Sequence, residues 1–172
     1  PTRSKLAAAI LNGLKEVPIG EGSKVLYLGA STGTTVSHVS DIVGPKGLVY
    51  AVEFSPHVFK NLLDTQKKNI APILADARKP EQYYWAEESD VVYIDVAQPD
   101  QLEIFIRNAD IFLKDQGYGM IVVKSQSIDV TKKPKDVYEE ELEKVRKANF
   151  KVLEFLELDP YEKHHGFILV KK

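Results

Sequence analysis

Glu53, Asp76, Asp95 and Lys124 each stand where an apolar run gives way to a turn: Glu53 closes LVYAVE, Asp76 follows IAPILA, Asp95 closes DVVYID and Lys124 follows GMIVV. If those runs are strands of a parallel sheet, an ionisable side chain at their carboxyl tip faces the ligand cleft and not the core. Ahead of them, the turn from Gly29 to Gly33 (GASTG) lets the backbone approach a ligand closely and leaves the amides of Thr34 and Thr35 to open a helix. Free amides at the positive end of a helix suit a carboxylate or a phosphate. Glu53 stands 20 residues beyond Gly33, where an acid can accept both hydroxyls of an adenosine ribose. Together these residues describe an adenosine-cofactor site; the plain alternative is a tight turn with an exposed acid. Asp76 suits an adenine amine as well as it suits the start of a turn. Lys124 reads either as a reactive group near Asp95 or as a surface lysine, and Lys5, on spacing alone, as a solvated lysine at the start of a helix. His164 and His165 fall in a turn, DPYEKHHG. Adjacent side chains there point apart and no third ligand has suitable spacing, so no metal is expected.

The elements that must position these groups alternate. Val25 to Leu28 reads as a strand, Thr34 to about Val43 as an amphipathic helix, and the run to Glu53 as a second strand, a βαβ unit with its first turn at the carboxyl edge of the sheet. Thr2 to Leu14 reads as a helix with Leu6, Ala9, Ile10 and Gly13 on one face. Ser55 and Pro56 form an N-cap and first-turn pair for a helix through Lys68, with Val58, Phe59, Leu62 and Leu63 inward. Ile70–Ala75 is a short strand and Asp90–Asp95 a buried one, before Pro99 ends pairing. The helix Asp100–Lys114 turns Leu102, Phe105, Ile106, Ala109, Phe112 and Leu113 inward and pairs Glu103 with Arg107 outside. Gly119–Val123 is the fifth strand. Pro134–Asn149 is a charged helix, with Glu140/Lys144 and Glu143/Lys147 as solvent pairs. Val152–Leu158 and Gly166–Val170 make a closing strand pair. Seven strands in this order indicate an α/β, Rossmann-like methyltransferase fold: a mostly parallel sheet with helices on both faces. The glycine spacing lacks the G-x-G-x-x-G form of a nicotinamide dehydrogenase.

Composition narrows the classes further. The chain of 172 residues, 44% hydrophobic, suits one domain over residues 1–172. The absence of cysteine excludes disulfides, thiolate zinc sites and cysteine nucleophiles. No apolar run approaches a membrane span and no secretory pattern is seen, so a cytoplasmic chain with no membrane contact is expected. A net charge of −2 argues against a general basic coat, so RNA would be met by a local patch or brought by a partner.

The runs RSKLAAAI, VLYLGASTGTTVSHVSDIVGPKGLVYAVEFS, DAR, DVAQPDQ and PYEKHH resemble fibrillarin over nearly the whole chain, the second run being highly specific. The sequence is identified as a member of the archaeal type of fibrillarin-like RNA 2'-O-methyltransferases. The resemblance implies S-adenosylmethionine as donor, a box C/D guide RNA that pairs with ribosomal or transfer RNA, a Nop-domain scaffold protein, and a kink-turn-binding ribosomal-type protein within the particle. It also implies that Thr34, Thr35, Glu53, Phe54, Asp76, Ala77, Asp95, Val96, Ala97 and Gln98 contact the cofactor, and that the catalytic set falls on Lys5, Asp95, Lys124 and His165. The family's small N-terminal domain, which precedes RSKL, and the Gly/Arg-rich tail of eukaryotic members are expected to be missing. The family commonly has Asp where this sequence has His164.

The implied chemistry, methyl transfer from a sulfonium to a ribose hydroxyl, asks the protein mainly to align the hydroxyl and take its proton. Lys124 is expected as the base with Asp95 orienting it, and Lys5 and His165 as groups that position the nucleotide or steady developing charge. A metal-dependent small-molecule O-methyltransferase would need an acid cluster after Asp95, and base amino-group methylation a Pro-Pro-aromatic run where DVAQP stands. A non-catalytic ribonucleoprotein subunit would have no need of all four polar residues.

Overall fold

A computed structural model describes residues 4–172, so Thr2 and Arg3 of the expected first helix lie outside the described residues. The elements run α1 (Lys5–Leu11), β1 (Lys24–Leu28), α2 (Thr34–Val43), β2 (Leu48–Glu53), α3 (Pro56–Leu63), β3 (Ile70–Leu74), a 3-10 turn (Pro80–Tyr83), β4 (Ser89–Ile94), α4 (Gln101–Phe112), β5 (Leu113–Lys124), α5 (Ser125–Ile128), α6 (Pro134–Lys147), β6 (Lys151–Glu157) and β7 (His165–Lys171). The sheet has seven strands in the order β3-β2-β1-β4-β5-β7-β6. β7 runs antiparallel to both β5 and β6, and the remaining pairings are parallel.

The central strands are buried on both sides because their side chains alternate into two apolar layers. Val25 and Tyr27 of β1 join a layer with Leu6, Val36, Val39 and Leu62 of the first three helices. Leu26 and Leu28 join the opposite layer with Tyr83, Phe105, Phe112, Val137 and Val145. Tyr27 and Tyr93, on neighbouring central strands, stack with ring centroids 4.5 Å apart, an apolar floor beneath the carboxyl ends of β1 and β4.

That floor lies where the strand order reverses. The chain leaves β1 toward β2 and β3, then returns to β4 on the other side of β1 and continues to β5. In an open α/β sheet such a switch point opens a crevice beyond the strand ends. Gly29 and Asp95, the residues just past β1 and β4, flank it.

Several element ends differ from expectation, for tertiary reasons. α1 stops at Leu11 because Asn12 caps it and sends Nδ2 to the carbonyls of Glu157 (3.1 Å) and Asp159 (3.2 Å). Ile10 faces out, and Ala8 joins Leu6 and Ala9 inside. α3 ends five residues before Lys68, since Thr65 Oγ1 donates to Leu62 O at 2.9 Å and Gln66 takes a left-handed conformation (φ 52°). Of its four expected inward residues only Leu62 is fully buried, and Leu63 is exposed. The expected solvent pairs re-partner: Lys144 bonds Glu141 at 2.8 Å, Arg146 bonds Glu143 at 3.2 Å, and Arg107 donates to the carbonyl of Arg78 at 2.7 Å and not to Glu103. The 3-10 turn and α5 were not expected.

Candidate active site

The turn after β1 needs glycine at Gly29. Its φ is +85°, and a Cβ there would stand 2.3 Å from the Asp95 carbonyl oxygen and 2.8 Å from Val96 Cγ1. The bare backbone lets the two strand exits touch. Gly33, also left-handed (φ +93°), is the N-cap of α2 and has no side chain to cap it, which leaves the amides at Thr34 and Thr35 open to a ligand. Glu53 fixes the turn, since Oε1 accepts from the Ser31 amide and Oε2 from the Ser55 amide, each at 2.8 Å. Carboxylate oxygens each carry two acceptor positions, so a ribose hydroxyl still finds capacity there.

Between the exits of β2, β3 and β4 lies a cleft of about 230 Å³. Of the expected cofactor residues, Glu53, Phe54, Asp76, Ala77, Asp95, Val96, Ala97 and Gln98 line it, together with Gly29, Ser31, Ala75 and Arg78. Phe54 is 71% exposed, an unusual state for a phenyl ring beside a cleft and one that a planar ligand would relieve. Thr34 and Thr35 do not line it. Thr35 turns its hydroxyl to Ser4 Oγ at 3.2 Å, and Ser4 in turn caps α1 through the Ala7 amide (3.4 Å). The hydroxyl of Thr35 is thereby occupied in docking α1.

α1 so docked brings Lys5 to the cleft, where Nζ lies 2.8 Å from Asp95 Oδ2. Asp95, expected to orient Lys124, is engaged by Lys5 instead. Lys124 ends β5 on the adjacent strand, and its Nζ makes no ion pair or hydrogen bond among the described residues. His165 is not on an exposed turn; it opens β7 directly opposite Lys124 in the antiparallel register and is only 9% exposed. Its ring Nδ1 meets the Lys163 carbonyl at 2.8 Å. A carbonyl only accepts, so Nδ1 carries the hydrogen and the neutral ring presents Nε2 as an acceptor. His164, left-handed at φ 60°, is exposed, and its carbonyl accepts from both the amide and the hydroxyl of Ser125 at 3.1 Å. That clamp ties the exit of β5 to the start of β7. Lys5, Asp95, Lys124 and His165 thus come to one sheet edge from four separate segments.

The Fibrillarin family model matches residues 1–172. This chain belongs to the fibrillarin family. A fibrillarin-like rRNA/tRNA 2'-O-methyltransferase of Pyrobaculum calidifontis is 53% identical over 177 residues, covering all of this chain and 76% of the relative. The structure is similar to that of Aeropyrum pernix fibrillarin in complex with natively bound S-adenosyl-L-methionine, with a TM-score of 0.90 and 47% identity over 98% of this chain and 75% of that one. It is also similar to the crystal structure of a fibrillarin/Nop5p complex, with a TM-score of 0.94 and 44% identity over 99% of this chain and 81% of that one. Arg78, which lines the cleft directly after the expected cofactor positions Asp76 and Ala77, was not expected there, because a single arginine near a turn carries no local mark of function. No group of three or more metal-ligating side chains occurs among the described residues, and no described helix is long and apolar enough to cross a membrane.

Proposed function

We propose that this chain is an RNA ribose 2'-O-methyltransferase that uses S-adenosylmethionine and works in a box C/D guide particle on ribosomal and transfer RNA. The observation that carries the reading is the meeting of Lys5 and Asp95 at the mouth of a cleft whose turn, acids and open amides fit an adenosyl amino acid. Gly29, where a Cβ would collide with Asp95 O, lets the exits of β1 and β4 close up beside that cleft. The α2 amides suit its carboxylate, Glu53 its ribose and Asp76 its adenine amine. The relative's name and the S-adenosyl-L-methionine in the Aeropyrum pernix structure support the same donor and reaction.

When bound, the donor supplies a methyl group already activated on a sulfonium. The protein then has to hold the ribose hydroxyl in line and take its proton. The imidazole of His165 gives its Nδ1 hydrogen to the Lys163 carbonyl and so turns a lone pair outward at Nε2. The free Nε2 of His165 is therefore the acceptor in this reading. Lys124 beside it places a cation where negative charge develops on the oxygen, and Lys5 holds the Asp95 carboxylate fixed at the cleft mouth.

The fibrillarin/Nop5p complex supports a Nop-type scaffold as partner. A guide RNA and a kink-turn-binding protein, like a cytoplasmic location and action as one methyltransferase domain over residues 1–172, extend the same proposal. A chain of net charge −2 gains little from counterion release, so the scaffold has to deliver the RNA. The test is transfer of radiolabelled methyl from S-adenosylmethionine to a guided RNA, with and without the scaffold. Label at the guided 2'-oxygen only in the assembled particle is expected; no transfer in the complete particle would overturn the reading.

A further inference from the structure

The two walls of the cleft come from different loops, Ala75–Arg78 after β3 and Asp95–Gln98 after β4. Arg78 spans them. Its guanidinium forks onto Asp100, with Nε 2.8 Å from Oδ2 and Nη2 2.7 Å from Oδ1, and Nη2 also donates to Gln98 Oε1 at 2.8 Å. The backbone of the same residue is equally held. The Arg78 amide donates to Asp76 Oδ1 at 2.9 Å, and its carbonyl accepts from Arg107 at 2.7 Å. The neighbouring Ala77 carbonyl accepts Asn108 Nδ2 at 2.9 Å, while the Asp76 amide donates to Gln82 Oε1 at 3.0 Å. These bonds leave Asp76 Oδ2 without a hydrogen bond among the described residues, on a residue that lines the cleft.

We propose that Arg78 is the positioning residue for the adenine end of the donor: by bridging Asp100 and Gln98 while its amide holds Asp76, it sets the spacing of the two walls that grip the base. The inference rests on the cofactor reading above and deepens it. A planar guanidinium fork fixes both distance and direction, whereas an ammonium is a point charge that can satisfy one carboxylate and leave Gln98 free to turn. Asp100 would otherwise cap α4, and it makes no side-chain cap bond there, so the helix gives up a cap interaction while the carboxylate serves the bridge. The gripping atoms are Asp76 Oδ2, which accepts from the adenine 6-amino group, and the edge of Gln98.

The experiment is calorimetric binding of S-adenosylmethionine and of its deaminated analogue, in which inosine replaces adenosine, to the parent chain, to Arg78→Lys, to Asp100→Asn and to the double variant. Removing a charge-assisted pair should weaken the adenosine donor on the order of tenfold in either single variant. The inosine form lacks the amine that Asp76 reads, so it should lose much less. The double variant should lose no more than the worse single one, because both act through one bridge. Should Arg78→Lys fail to fold, Asp100→Asn, which keeps the arginine, decides by the same comparison. Parental affinity in the folded variants, or equal losses for the two ligands, overturns the proposal while leaving the cofactor reading intact. A parent chain that binds neither ligand sinks both.

Discussion

Lys5 and Asp95 lie 90 positions apart in the chain and meet with Nζ 2.8 Å from Oδ2. The contact exists because Ser4 caps α1 while accepting from Thr35 at the start of α2, which sets the first residue of the helix over the exit of β4. With side chains 26% and 21% exposed, the pair is neither a freely solvated ion pair nor a buried one. Its direct contribution to stability is therefore about 1 kcal/mol or less, and its consequence falls on the geometry of the cleft.

If the pair acts as one unit, Lys5→Ala and Asp95→Asn are not independent. Each should slow methylation in the assembled particle, and the double variant should be about as slow as the slower single one. Single-turnover rates at saturating donor measure this. Rate losses that multiply would mean that the two side chains act separately.

Gly29→Ala tests the close approach of the two strand exits. A left-handed conformation costs a non-glycine residue about 1–2 kcal/mol, and the new methyl would stand 2.3 Å from a backbone oxygen that cannot swing away. Urea unfolding should show a loss of about 2 kcal/mol or more, with donor binding weakened as Asp95 and Val96 are pushed aside. Parental stability in this variant would contradict the described packing.

The frame was legible where the cause is local. LYL, VVYI and MIVV are apolar on both faces because their strands are covered on both faces, and Ser55-Pro56 opens α3 as its residue types dictate, with Ser55 Oγ accepting from the Val58 amide at 3.4 Å. Glu53, Asp76 and Asp95 were legible because an acid at the carboxyl tip of a parallel strand near the switch point faces the crevice. What stayed hidden depends on partners distant in the chain. Asn12 ends α1 by reaching Glu157 and Asp159, Arg78 forks onto a carboxylate 22 positions away, and Lys144 turns to Glu141 because that carboxylate is buried. His165 read as part of an exposed turn; only its register opposite Lys124 shows that it belongs to a strand. Resemblance pointed to the four-residue set, but the choice of Lys5 over Lys124 as the partner of Asp95 is a matter of three-dimensional distance.

Glu141 carries a pH signature. It is 1% exposed, with Oε2 unpartnered and Oε1 bonded to Lys144 at 2.8 Å, and burial pushes its carboxyl above the ordinary value of 4.5 while Lys144 works against the rise. The folded chain then holds this proton more tightly than the unfolded one. The group favours folding below its unfolded value, and that contribution is lost as pH rises through the raised folded value. Glu141→Gln removes the titration but keeps the shape. Stability measured by urea unfolding should become flatter over the acidic to neutral range, with the variant gaining on the parent as pH rises. A variant with the parental pH profile would show that burial of the charge has no thermodynamic consequence.

The identity of the proton acceptor separates His165 from Lys124. Nδ1 of His165 is committed to the Lys163 carbonyl, so the neutral ring offers Nε2 and only Nε2, at a sheet position directly across from Lys124. A ribose hydroxyl is too weak an acid to react without an aligned acceptor, and removing a positioned base costs roughly 10² to 10⁴ in rate. His165→Ala should therefore slow single-turnover methylation in the particle by that factor. Lys124→Ala should also slow the reaction, since it removes the cation beside the developing charge, but by less than His165→Ala. Donor affinity, read by calorimetry, should change little in either variant because neither side chain lines the cleft. The opposite pattern, in which Lys124→Ala slows the reaction by the full factor and His165→Ala methylates at the parental rate, would make Lys124 the base and reduce His165 to a residue that holds the nucleotide.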